Sequence, residues 1–185
     1  MTAETIFALS SAPGKAGVAV VRVSGPAAFK SLETLARIKT IKPREALFTS
    51  LFAADGAIID RTLVLPFKGP ASFTGEDVVE YYIHGSAAVL SALMSALASF
   101  DGHRTADRGE FTRRAFENGK MDLTEAEAIA DLIDAETDMQ REQALRQMGG
   151  ALHTLYEGWR ERLVRAMAYI EAVIDFPDEE VPDSE

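Results

Sequence analysis

Three ionic side chains, Arg22, Glu80 and Lys120, stand in surroundings that do not account for them. Arg22 lies inside the apolar run GVAVVRVS, residues 17–24. A period of two puts Val18, Val20, Arg22 and Ser24 on one face of a strand there, and Ala19, Val21 and Val23 on the other. A guanidinium in such a run either reaches water from a sheet edge along its apolar stem or pairs with an anion. Glu80 is the second lone charge, in residues 78–83, sharing a face with Val78 and Tyr82. It can form a structural salt bridge with Arg22. Alternatively, its two oxygens can accept the paired N–H donors of an amidine-like or pterin-like ring edge. Lys120 follows Asn118-Gly119 on a turn between two expected helices, where a cation is either merely solvated or held facing a ligand.

Other chemistries are poorly supplied. His84 ends the second run without the further ligand at fixed spacing that a metal site needs. Gly14-Lys15 resembles the end of a phosphate-binding loop, but Ala16 stands where Ser or Thr should hold magnesium and position 9 is not glycine, so that reading fails. No catalytic triad appears. With no cysteine among 185 residues, disulfides, thiol nucleophiles and thiolate metal sites are excluded from this stretch.

The net charge of −10 is unevenly spread: residues 171–185 hold seven acids and no base, which leaves 19 bases against 22 acids, or −3, over residues 1–170. A nearly neutral body is compatible with phosphate-bearing partners. Residues 103–120 carry five bases (Arg104, Arg108, Arg113, Arg114, Lys120) against three acids, a run that is commonly a solvated helix face and can also receive phosphates or an acidic tail. No stretch approaches the roughly 18 apolar residues of a membrane span. The apolar patch at 6–9 is too short for a signal peptide, so a cytoplasmic protein with no membrane partner is expected.

The elements that must position these groups follow from pattern. Residues 5–9 and 17–24 read as strands, and 26–38 as a helix opened by Pro26. Residues 46–53 and 60–67 read as a hairpin in which Asp55-Gly56 supplies positive φ angles and Pro66 sits at a strand end or edge. After a loop rich in Gly, Pro, Ser and Thr, residues 78–83 form a strand, and 86–100 form a helix facing the sheet through Val89, Leu90, Leu93, Met94 and Leu97. From there on only helix is expected. Asp107 with Glu110, and Thr124 with Glu127, have capping-box spacing; they start a short helix near Arg108, stopped by Gly119, and a long one over 124–148. After Gly149-Gly150 a second long helix carries Leu152, Leu155, Tyr156, Trp159, Leu163, Met167, Ile170 and Ile174 on one stripe, with Trp159 read as core. A hairpin of two helices cannot bury its stripes alone, so the first domain, another subunit or sequence beyond Glu185 is expected to cover them.

The stretches SAPGKAGVAVVRVSG, GPASFTGEDVVEYYIHG, RGEFTRRAFENGKMDLTEAEAIADLID and IEAVIDFPDEE, spread in order over the whole chain, resemble the tRNA-modification GTPase family called MnmE or TrmE. The resemblance implies an α+β fold: an N-terminal folate-binding and dimerisation domain over 1–120, like the tetrahydrofolate-binding aminomethyltransferases, then an all-α hairpin over 121–175 that begins a helical domain. Residues 176–185 become an acidic linker toward an absent Ras-like G domain. By motif position the folate contacts fall on Arg22 of VVRVSG, Glu80 of GEDVVE and Lys120 of ENGKMDL, the three residues singled out above. Lys15, Ser86 and Arg108 depart from the family's usual arginine, glycine and proline, and none of them removes a proposed contact.

The resemblance further implies 5-formyltetrahydrofolate or a related tetrahydrofolate as cofactor, and a homodimer working with the flavin-dependent MnmG. The substrate is tRNA, modified at carbon 5 of the wobble uridine, with tRNA contact through Arg104, Arg108, Arg113 and Arg114 as a further expectation. GTP, magnesium and potassium belong to the G domain, so a chain ending at Glu185 is expected neither to hydrolyse GTP nor to complete the modification, with no catalytic residue of its own. The rival readings are a non-catalytic oligomerisation module and a stand-alone one-carbon transferase.

Overall fold

The computed structural model describes residues 4–175, the side chains at 151, 153 and 173 excepted. The chain divides after Lys120 into two compact units. The first holds strands β1 (Thr5–Leu9), β2 (Ala16–Ser24), β3 (Leu47–Phe52), β4 (Ile58–Phe67), β5 (Val78–Gly85) and β6 (His103–Thr105), with helices α1 (Ala28–Ala36), α2 (Ala87–Ala98) and α3 (Glu110–Glu117). The six strands form one sheet in the order β3-β4-β5-β2-β1-β6, antiparallel throughout except for the parallel pair β1 and β6. The β-branched and aromatic residues of β2 and β5 pair in register, Val21 with Tyr81 and Val23 with Val79.

The two faces of this sheet differ, and the difference positions the site. On one face Val21, Val23, Val64, Val79, Tyr81 and Ile83 pack against Leu32 and Leu35 of α1 and Leu93 and Leu97 of α2, the expected core. Strand register divides the other face into rows. Ile6, Ser24 and Val78 form a first row and are buried. Arg22, Glu80 and Leu65 form the next and are partly exposed. Val20, Tyr82, Leu63 and Phe48 form a third, in which Leu63 and Phe48 are open to solvent.

Several local expectations shift. α1 begins two residues after Pro26, where Ala27 donates its N–H to the Thr5 hydroxyl at 2.9 Å. In the β3–β4 turn only Gly56 has a positive φ (89°), because the turn closes by Gly56 N–H donating to Ala53 carbonyl at 3.0 Å and Asp55 needs no left-handed angle. Strand β6 was not foreseen; three polar residues at a sheet edge carry no alternation to read. α3 starts at Glu110 behind a left-handed Gly109, and the Asp107 side chain makes no cap. Gly119, at φ 65°, does stop that helix.

The second unit contains α4 (Leu123–Asp134), α5 (Asp138–Met148) and α6 (Ala151–Asp175). α4 is capped by Asp122 with Glu125, two residues before the expected box. The expected single helix over 124–148 is two helices. Thr137 in extended conformation accepts from Gln140 N–H, while the Gln140 side chain reaches back to Thr137 N–H at 2.9 Å, a second capping box that interrupts the run. The expected two-helix hairpin is thus three helices. α6 runs as expected from Gly150, and on its stripe Trp159 is 49% exposed and Leu163, Met167, Ile170 and Ile174 more so, the apolar face for which cover by further partners is expected. The linker expected at 176–185 lies outside the described residues.

Candidate functional site

β2 and β5 bring Arg22 and Glu80 directly opposite each other. Nε of Arg22 donates to Glu80 Oε1 at 2.9 Å, and Nη2 lies 2.8 Å from the same oxygen in an ion pair. The Tyr82 hydroxyl, two residues along the same face, donates to Glu80 Oε2 at 2.8 Å. Burial, and then this bond to a carboxylate, push the Tyr82 phenol above its ordinary pKa. The guanidinium carbon stands 4.9 Å from the ring centroid of Phe73, in the 68–77 loop, and 5.6 Å from that of Phe111, in α3. The side chains of Arg22 and Glu80 keep 23% and 13% exposure.

The salt bridge read as one alternative is therefore formed, but the cluster keeps capacity for a ligand. Each carboxylate oxygen accepts two hydrogen bonds, and among the described residues Oε2 of Glu80 has one donor. The guanidinium carries five N–H groups, and Nη1 of Arg22 has no partner among the described residues. With two phenyl rings beside it, the donor set suits a flat heterocycle bearing N–H groups together with an anionic or carbonyl oxygen.

Lys120 approaches the same loop from α3. Its backbone N–H closes the helix onto Ala115 carbonyl at 2.8 Å, and its aliphatic stem lies over Gly75. A Cβ on Gly75 would stand 3.3 Å from Lys120 Cγ and 3.1 Å from Asn118 Cβ, so at φ 80° this position suits glycine both by angle and by space. Arg22 thus touches Phe73 and Lys120 touches Gly75, two residues apart on one loop. Cavities of about 190 and 250 Å³ open elsewhere on this unit, the first beside Gly14, Lys15 and Ser86, the second beside Leu32, Ile41 and Pro66.

A family model described as GTP-binding protein TrmE N-terminus matches residues 5–120, and one described as MnmE helical domain matches residues 123–185. The chain belongs to the TrmE (MnmE) family. Among curated relatives, the protein named tRNA modification GTPase MnmE from Parvibaculum lavamentivorans is 61% identical over 97% of this chain and 41% of its own length. Those of the same name from Phenylobacterium zucineum and Roseobacter denitrificans are 57% and 55% identical over 97% of this chain, and over 40% and 42% of theirs. The chain therefore spans about two fifths of the length of these relatives. The resemblance carried by the four sequence stretches holds.

Beside the Arg22 cluster, this TrmE-family chain carries an ionic network that the sequence reading took for a helix cap and a solvated basic face. Glu110, 1% exposed, receives Arg104 through two bonds, Nη2 to Oε1 at 2.6 Å and Nη1 to Oε2 at 2.8 Å, together with Arg114 Nη2 at 3.2 Å and Asp107 N–H at 2.8 Å. The Arg104 bonds foremost, against the opposing effect of burial, hold its carboxyl at about 2. Arg114 continues to both oxygens of Glu76 at 3.1 Å, and Ser24 donates to Glu76 Oε2 at 2.7 Å while sharing a 2.7 Å bond with the Thr74 hydroxyl. Three of the four arginines offered as tRNA contacts face carboxylates: Arg104 and Arg114 through hydrogen bonds, and Arg113 at 3.5 Å from Glu110 and 3.9 Å from Glu117. The sequence hinted at Tyr82, which shares a strand face with Glu80; it held no signal for Phe73 or Phe111. His84 is 2.8 Å from Asp60, and no metal-binding cluster occurs among the described residues.

Proposed function

We propose that this chain is the folate-binding, dimer-forming front portion of a tRNA-modifying GTPase, and that Arg22, Glu80 and Lys120 hold 5-formyltetrahydrofolate or a related tetrahydrofolate. The observation that carries the reading is the partly exposed Arg22–Glu80 pair on the sheet face opposite the core, with Phe73 and Phe111 flanking the guanidinium and Lys120 lying over the loop that carries Phe73. Glu80 Oε2 would accept ring N–H groups of a pterin, and Arg22 and Lys120 would meet its carbonyl, formyl or carboxylate oxygens. The bound folate supplies a one-carbon unit. The chain's own groups bind and orient it, and none of them is assigned a catalytic step.

The names of the relatives support a role in tRNA modification; modification at carbon 5 of the wobble uridine, in the cytoplasm and with the flavin-dependent MnmG, is part of the same proposal. Residues 1–185 contain no phosphate-binding loop, so GTP, magnesium and potassium are assigned to a G domain outside them. The likeness of residues 1–120 to tetrahydrofolate-binding aminomethyltransferases belongs to the same proposal. Self-association through this domain is supported by the apolar side chains on its open sheet face, where Val18, Leu63 and Phe48 are 55%, 40% and 71% exposed.

Titration calorimetry with 5-formyltetrahydrofolate tests the cofactor reading. The wild-type chain is expected to bind, and Glu80→Ala to bind roughly ten- to a hundredfold more weakly, the worth of a charge-assisted contact. No heat with wild type, or equal affinity in the variant, would favour the non-catalytic module.

A further inference from the structure

Arg22 and Lys120 sit on different elements, and what brings their surroundings together is the loop of residues 72–76. That loop is fastened at four points. The Thr74 hydroxyl, fully buried, shares a 2.7 Å bond with Ser24, two residues from Arg22 on the same strand face. Glu76 Oε2 accepts from the same Ser24 hydroxyl at 2.7 Å, and both Glu76 oxygens accept from Arg114 Nη1 at 3.1 Å. Asn118 Nδ2 donates to the Thr74 carbonyl at 2.7 Å, tying the loop to the turn that carries Lys120. The Ser72 hydroxyl donates to the Glu76 carbonyl and closes the loop on itself.

The polar atoms at the anchored end are well covered: Arg114 and Glu76 side chains are 12% and 19% exposed and Ser24 is fully buried. Arg114 is in turn held by Glu110 at 3.2 Å and by the Glu4 carbonyl at 2.8 Å. Fixed dipoles and charges at one end of a short loop set the position of what it carries at the other, here Phe73 beside Arg22 and Gly75 beneath Lys120.

We infer that Glu76, held between Arg114 and Ser24, and Asn118 are positioning residues for ligand binding: they touch no ligand, and set the 72–76 loop so that Arg22, Glu80 and Lys120 act on one molecule. The inference rests on the cofactor reading above and goes beyond it by assigning affinity to residues outside the contact set. Polar residues outside a contact set would ordinarily be close to neutral for binding, and these are not expected to be.

The test is titration calorimetry with 5-formyltetrahydrofolate on wild type, Glu76→Ala, Glu76→Gln and Asn118→Ala, together with hydrogen exchange of peptides covering 72–76. Glu76→Ala is expected to lose about tenfold in affinity and to exchange faster across the loop with β2 and β5 unchanged. Glu76→Gln, which still accepts from Ser24 or Arg114, is expected to stay within about threefold of wild type. Asn118→Ala, at an exposed position that leaves the fold intact, is expected to lose about three- to tenfold. Wild-type affinity in Glu76→Ala and Asn118→Ala overturns the inference and leaves the cofactor reading standing. Equal losses in Glu76→Ala and Glu76→Gln overturn it too, since the negative charge, and not the anchoring bonds that glutamine retains, would then decide. No binding by wild type brings down the cofactor reading, and the inference with it.

Discussion

Replacing Glu110 by glutamine removes one negative charge from a site where three arginines, Arg104, Arg113 and Arg114, and a backbone N–H converge on a 1% exposed carboxylate. The geometry is bidentate, with Arg104 Nη2 and Nη1 at 2.6 and 2.8 Å on separate oxygens, and glutamine can reproduce only one of those acceptors. A carboxyl held at about 2 against an ordinary 4.5 corresponds to at most roughly 3 kcal/mol of stability at neutral pH. Arg104 is 36% exposed, so screening by water reduces the expected loss to about 2 kcal/mol. In urea, with a slope of about 1–3 kcal/mol per molar for a domain of this size, the midpoint of the first unit should fall by about 1 M. Peptide-resolved hydrogen exchange across a urea series, read at β1 and β6, measures it without interference from the second unit's helices.

The same experiment has a pH arm whose sign is fixed. Because the folded carboxyl titrates below the unfolded one, its contribution is complete above about pH 5 and fades as pH falls toward about 2. The gap between wild type and Glu110→Gln should therefore narrow over that window, wild type losing the advantage that the variant never had. An unchanged midpoint at neutral pH, or a gap as wide near pH 2.5 as at pH 7, would refute the claim that this carboxylate is held by its arginines.

Two further substitutions test the local readings. Thr137→Ala removes the hydroxyl that accepts from Gln140 N–H and should cost α5 about 1 kcal/mol, seen as roughly fivefold faster exchange of its first-turn amides; unchanged exchange would mean the capping box does not hold the break. Gly25→Ala places a Cβ 2.7 Å from Thr5 Cα at a φ of 136°, so thermal unfolding should show a loss of about 3 kcal/mol or more, and a near-neutral result would contradict the close β1–β2 approach.

What the sequence disclosed and what it hid follow physical lines. Alternation placed Arg22 and Glu80 on strand faces, and the sheet then paired them in register, because side-chain period and register are coupled wherever one face is buried. The left-handed Gly119 and the apolar face of α2 were legible for the same local reasons. Glu110 was read in part: it accepts from Asp107 N–H as their spacing suggested, and only the fold could show that Arg104, from a three-residue edge strand, would meet it. The loop anchors Ser24, Thr74 and Glu76 are separated by about fifty residues along the chain, a distance over which no periodicity speaks. The break at Thr137 was visible in principle, since Thr137 and Gln140 have capping-box spacing, but the apolar stripe running through it dominated the reading. Trp159 belongs to the stripe that was read, and its 49% exposure shows that periodicity tells which face is apolar and not what covers it.

The central claim is that Arg22, Glu80 and Lys120 serve one folate. A crystal structure of the chain grown with saturating 5-formyltetrahydrofolate tests it most directly. The account predicts the pterin on the open sheet face, with ring N–H groups donating to Glu80 and ligand oxygens within reach of Arg22 and Lys120. Density for the ligand away from β2 and β5, or an Arg22–Glu80 pair unchanged with nothing bound beside it at saturation, would contradict the account.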